Sequence, residues 1–70
     1  MNYKQKKDLT ARELEVIKLI VHGYSNSEIA KKLNITHHTV KAHVSSILRK
    51  FHVETRVEAV IAAMRAKIID

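Results

Sequence analysis

Three times in these 70 residues a Ser or Thr stands three places ahead of a Glu, just before a stretch of helical apolar spacing. The pairs are Thr10 with Glu13, Ser25 with Glu28, and Thr55 with Glu58. In such a box the hydroxyl accepts the glutamate N–H and the carboxylate accepts the N–H of the hydroxyl residue, so each pair marks a helix start. Thr36 supplies a fourth N-cap before another apolar-periodic run. Gly23 enters the left-handed conformation that closes a helix cheaply, and Asn34 tolerates it second only to glycine. Pro is absent, and Ala, Ile, Val, Leu, Lys and Glu abound. The pattern predicts an all-α domain of four helices, over residues 11–22, 26–33, 37–51 and 56–67.

A chain this short makes one domain and buries only about 60% of its unfolded surface, so its core is modest. Without Cys it has neither disulfides nor a thiolate zinc site to lean on. Residues 1–8, MNYKQKKD, lack helical apolar spacing and read as a flexible arm or linker, which leaves 9–70 as the folded unit. The arm has no apolar core of a signal peptide, and the longest apolar run, Ala59 to Met64, is too short to cross a bilayer. The expected compartment is the cytoplasm.

The formal net charge of +6 draws the chain to polyanions, and the position of that charge indicates which kind. No Asp or Glu occurs between Glu28 and Glu54, whereas Lys31, Lys32, Lys41, Arg49 and Lys50 all lie there. On a wheel of about 100° per residue, Val44, Ile47 and Phe51 fall within about 40° of Val40, with Leu48 at about 80°. These form the face expected to turn inward. Lys41, Ser45, His38, Arg49 and Ala42 occupy the opposite arc, from about 100° to 200°. Two short helices joined by a tight turn, the second apolar inward and cationic outward, suit insertion into the major groove of DNA.

Side-chain chemistry divides the candidates. Lys41, Ser45, Ala42 and His38 are placed for base edges: Lys for guanine O6 and N7, Ser as donor or acceptor, the Ala methyl for thymine. His37 and Thr39 at the start of helix 3, and Ser25 and Asn26 at the start of helix 2, sit where free N–H groups favour a phosphate. Arg49, Lys50 and Lys32 are the cations expected on the sugar–phosphate backbone. Metal binding is not expected: His38 and His43 are five apart, His37 points elsewhere, and neither Cys nor carboxylate accompanies them. His43 borders the core stripe and reads as a partly buried hydrogen-bonding residue. No glycine-rich phosphate loop, nucleophile–base set or facing carboxylate pair points to an enzyme, and no cofactor or small-molecule ligand is expected. A membrane-surface helix would bring large apolar residues out beside its lysines, which helix 3 does not do. A helical protein-interaction module is the remaining alternative from another functional class.

Five motifs also carry a family likeness: LT-x-RE at Leu9 to Glu13, G-x-SN-x-EIA at Gly23 to Ala30, TVK-x-H at Thr39 to His43, IL-x-K at Ile47 to Lys50, and R-x-EAV at Arg56 to Val60. In this order and spacing the chain, from Leu9 to about Ile69, resembles the LuxR-type (GerE-like, NarL-like) DNA-binding domain. The resemblance implies the output domain of a bacterial transcription regulator that binds double-stranded DNA. Helix 3 would lie in the major groove, helix 4 in a homodimer contact, and RNA polymerase would be a further partner. It sets Lys41, Ala42 and Ser45 against bases, and His38, Thr39, Arg49, Ser25 and Asn26 nearer the backbone. His52 stands where the family often has Gly, and Lys67-Ile68-Ile69 replaces a common Gly-Leu-Ile ending. Some relatives carry longer side chains at positions 42 and 45. A sigma-factor region 4 module shares the helix-turn-helix, but would not need the fourth helix opened at Thr55.

For helix 4 the sequence predicts Val57, Val60, Ile61, Met64 and Ile68 packed inward. Ala59, Ala62, Ala63 and Ala66 would then form a low-bulk outer surface for a symmetric dimer.

Overall fold

The computed structural model describes residues 8–68, and all but Asp8 of the expected arm lies outside them. Among the described residues there are four helices: α1 (Ala11–Val21), α2 (Asn26–Leu33), α3 (His37–Phe51) and α4 (Arg56–Arg65). The three boxes are formed as their sequences require. Thr10 Oγ1 accepts from the Glu13 N–H at 3.0 Å, Ser25 Oγ from Glu28 at 3.1 Å, and Thr55 Oγ1 from Glu58 at 3.1 Å. Each glutamate returns its carboxylate to the cap N–H, and Thr36 Oγ1 accepts from the Thr39 N–H at 3.0 Å.

The four helices also end alike. The N–H groups of Tyr24, Ile35, Val53 and Ile68 each bond to the carbonyl five residues back, and the N–H groups just before them to the carbonyl three back. This double closure needs a left-handed residue between helix and apolar successor. Gly23, Asn34, His52 and Lys67 fill that position, with φ of 93°, 57°, 59° and 57°. The apolar successors fold back onto the domain: Ile68 is buried, and Tyr24, Ile35 and Val53 are half-buried against the core. This closure is why α1 stops at Val21 rather than His22, and α4 at Arg65 rather than Lys67.

α3 packs on each of the other three helices, and α4 packs on α1 and α3. Val16, Ile17, Ile29, Val40, Ile47 and Phe51 form the centre, all within 3% of complete burial. α4 departs from the sequence expectation. Ala59, Ala63 and Ala66 are in the core and Ala62 is half-buried, whereas Val57, Ile61 and Met64 are 68%, 46% and 60% exposed. The helix is thus turned by about half a revolution from the expected setting. Large side chains from α1 and α3 already occupy the centre, and α4 closes over them with methyl-sized residues, as a close-packed interior requires. Of the residues expected inward, Ile68 is buried and Val60 half-buried.

Candidate nucleic-acid interface

α2, the turn through Asn34, Ile35 and Thr36, and α3 compose the helix-turn-helix. Val40, Ile47 and Phe51 point into the core, with Val44 and Leu48 half-buried beside them. The opposite side of α3 exposes His38, Lys41, Ala42, Ser45 and Arg49, and His37 is exposed in the first turn. Lys31 and Lys32 are exposed on neighbouring α2, Lys32 on the side of α1 beside Glu15, Lys18 and Leu19. The inward and outward faces derived from the 3.6-residue period are those the domain displays.

Thr39 is half-buried, and its Oγ1 accepts a 2.8 Å bond from Thr36 Oγ1 in addition to the Thr36 cap. Ser25 Oγ is occupied as a helix cap. Asn26 is half-buried, with Oδ1 accepting from Arg56 Nη1 at 2.6 Å. Arg49 is exposed, its Nη2 3.4 Å from Ser46 Oγ. His43 is half-buried, and no cluster of possible metal ligands occurs among the described residues.

Lys50 is a correction. Instead of facing outward with Arg49, its ammonium donates to Glu13 Oε1 at 2.8 Å and to the Asp8 carbonyl at 2.9 Å. On the wheel Lys50 lies about 80° from Val40 on the flank opposite Leu48, with Ser46 farther along it, and that flank meets α1. Ser46 Oγ donates to Glu13 Oε2 at 2.6 Å, and the Thr10 N–H reaches Oε1 at 3.0 Å. Burial pushes the Glu13 carboxyl up, but hydrogen bonds from Lys50, Ser46 and Thr10, together with the Lys50 charge, outweigh it and bring the pKa down to about 2. Glu13 is therefore an ionised, 5%-exposed anchor for the C-terminal half of α3. Glu58, capping α4 at the surface, is also lowered, by the N–H groups of Glu54 and Thr55 and the Thr55 hydroxyl.

Sequence reasoning found Glu13 as a cap but not as a buried ion-pair partner, because Lys50 is far along the chain. It also gave Arg56 no structural role. No helix among the described residues is long and apolar enough to cross a membrane.

A family model described as bacterial regulatory proteins, luxR family (GerE), matches residues 7–63. The chain is 52% identical over 62 residues to the response regulator protein VraR of Staphylococcus aureus (strain COL) and to that of Staphylococcus epidermidis. Each match covers 89% of this chain and 30% of the relative, so the chain spans under a third of these proteins. A solved structure of the transcription factor GerE superposes with a TM-score of 0.82 at 34% identity, covering 89% of this chain and 92% of that one.

Proposed function

Because the chain belongs to the luxR family of bacterial regulatory proteins, as a helix-turn-helix DNA-binding domain, we propose that it reads a specific duplex site with α3 in the major groove. It acts without enzymatic chemistry, as the output domain of a longer transcription regulator working in the cytoplasm. The family match takes the place of the sigma-factor alternative. The observation that carries the reading is the exposed, acid-free row on α3 directly behind the buried Val40, Ile47 and Phe51.

Lys41, Ala42, Ser45 and His38 are the base-facing set. Lys supplies the main hydrogen-bond donor, and the short Ala and Ser make lesser contacts. Arg49, Lys32, His37 and the N-terminus of α2 at Ser25 and Asn26 meet phosphates, with Thr39 holding the first turn of α3 in shape. These contacts fix register and supply salt-dependent affinity, while the base-facing set supplies preference.

Two copies pair on DNA through α4, by the uncovered stripe of Val57, Ile61 and Met64. These residues recur at helical spacing on one side, and a two-fold axis lets the same stripe meet itself. Inverted half-sites should then lie about 10 bp apart, centre to centre. Footprinting on duplexes with shifted half-site spacing tests this: occupancy should peak at one spacing, and equal occupancy at all would remove the paired reading.

A further inference from the structure

Arg56, the first residue of α4, bridges to the start of α2. Its Nη1 donates to Asn26 Oδ1 at 2.6 Å and its Nη2 to the Tyr24 carbonyl at 2.7 Å. Both bonds are part-buried and join residues 30 and 32 positions apart. A guanidinium has donors only, so it can hold only the oxygen end of the Asn26 carboxamide. The two ends of an unrestrained carboxamide are close in size and interchange readily; here the pairing fixes which is which. The NH2 end is turned away from Arg56, and the charge on its oxygen polarises it into a better donor.

We propose that Arg56 is a positioning residue for DNA binding: it orients the Asn26 carboxamide so that the NH2 group donates to a backbone phosphate. This rests on the reading of Asn26 as a phosphate contact. Arg56 also immediately precedes Val57, the first residue of the uncovered stripe on α4. A displacement of α4 therefore shifts the donor that holds both the Tyr24 carbonyl and the Asn26 oxygen. Pairing through α4 and the grip of α2 on the backbone are joined by one planar group.

Asn26→Asp separates positioning from mere support. The carboxylate keeps the bond to Arg56 with added charge assistance and suits a helix N-terminus, so the variant should melt at or above the parent. It lacks the NH2 donor and also brings a negative charge to the phosphate, so it should lose roughly tenfold or more in duplex affinity, and Asn26→Ala, which removes the donor without adding charge, should lose a similar amount. The second arm scans single methylphosphonate substitutions across the site. The parent should show one phosphate per half-site whose neutralisation weakens binding. Arg56→Gln and Asn26→Ala should be insensitive at that phosphate, with partial recovery in Arg56→Lys. Undiminished sensitivity in Arg56→Gln, or parental affinity in Asn26→Asp, would overturn the assignment. Failure of the parent to bind any duplex would instead bring down the DNA-reading proposal, and this one with it.

Discussion

The Lys50 ammonium lies 2.8 Å from the Glu13 carboxylate, 37 residues earlier in the chain, and fastens the last turn of α3 to the first turn of α1. The carboxylate carries three further constraints on its position, from Ser46, the Thr10 N–H and its own burial. The helix that presents the cationic row is thus braced at the end farthest from its N-cap.

The brace predicts an acid-sensitive share of stability. Glu13 titrates near 2 in the fold against 4.5 without it. A depressed folded pKa gives stability that is full above about pH 4.5 and lost as pH falls towards 2. Its size is about 3 kcal/mol at neutral pH. Glu13→Gln should cost a similar amount at pH 7, and the gap between the two melting curves should close on acidification. A gap that stays constant from pH 7 to pH 2.5 would show that the ion pair contributes nothing.

On the proposed DNA face, Lys41 and Arg49 should fail differently. Lys41→Ala should cost roughly 1–3 kcal/mol on the specific site and relax preference at one base pair, with little effect on random duplex. Arg49→Ala should weaken both duplexes alike and lower the salt slope by about one unit. Titrations at several salt concentrations read both effects. An equal loss on random DNA would move Lys41 to the backbone, and an unchanged slope would take Arg49 out of the interface.

His52 and Lys67 hold left-handed conformations that cost a side-chain-bearing residue about 1 kcal/mol or more relative to glycine. His52→Gly should therefore raise stability by about 0.5–1 kcal/mol after the greater freedom of the unfolded glycine is subtracted. Lys67→Gly should act in the same direction. Urea midpoints measure both; a fall in either would mean that the native side chain supplies contacts worth more than the backbone relief.

Pairing through α4 is tested at Ile61, which is 46% exposed at the middle of the stripe. Ile61→Glu should leave thermal stability within about 0.5 kcal/mol of the parent, as at most surface positions. On a duplex with two half-sites, however, it should bind no more tightly than to each half-site alone. Retained cooperativity would place the pairing surface elsewhere.

The helix starts and the α3 faces were legible because both are local. A capping box needs residues only three apart, and the inward set of Val40, Ile47 and Phe51 follows from helical period alone. The left-handed closure at Asn34 was equally readable from residue chemistry. α4 was not, because it is apolar nearly all round. Hydrophobicity favours burying Val57, Ile61 and Met64, but the space left over α1 and α3 admits only Ala59, Ala63 and Ala66, and space is a property of the assembled core. Lys50 and Arg56 escaped for another reason. A cation in a sequence reads as solvent-facing until the fold brings Glu13 to one and the Asn26 and Tyr24 oxygens to the other.

Ala59, Ala63 and Ala66 give α4 an inner layer one methyl thick. A helix that turns only methyls inward rests directly on the large side chains of α1 and α3, so its height above them has little slack. If two copies pair along α4 as proposed, the pitch between their reading helices would be inherited in part from those methyls, and the ruler for the operator would lie inside the protein rather than on its surface.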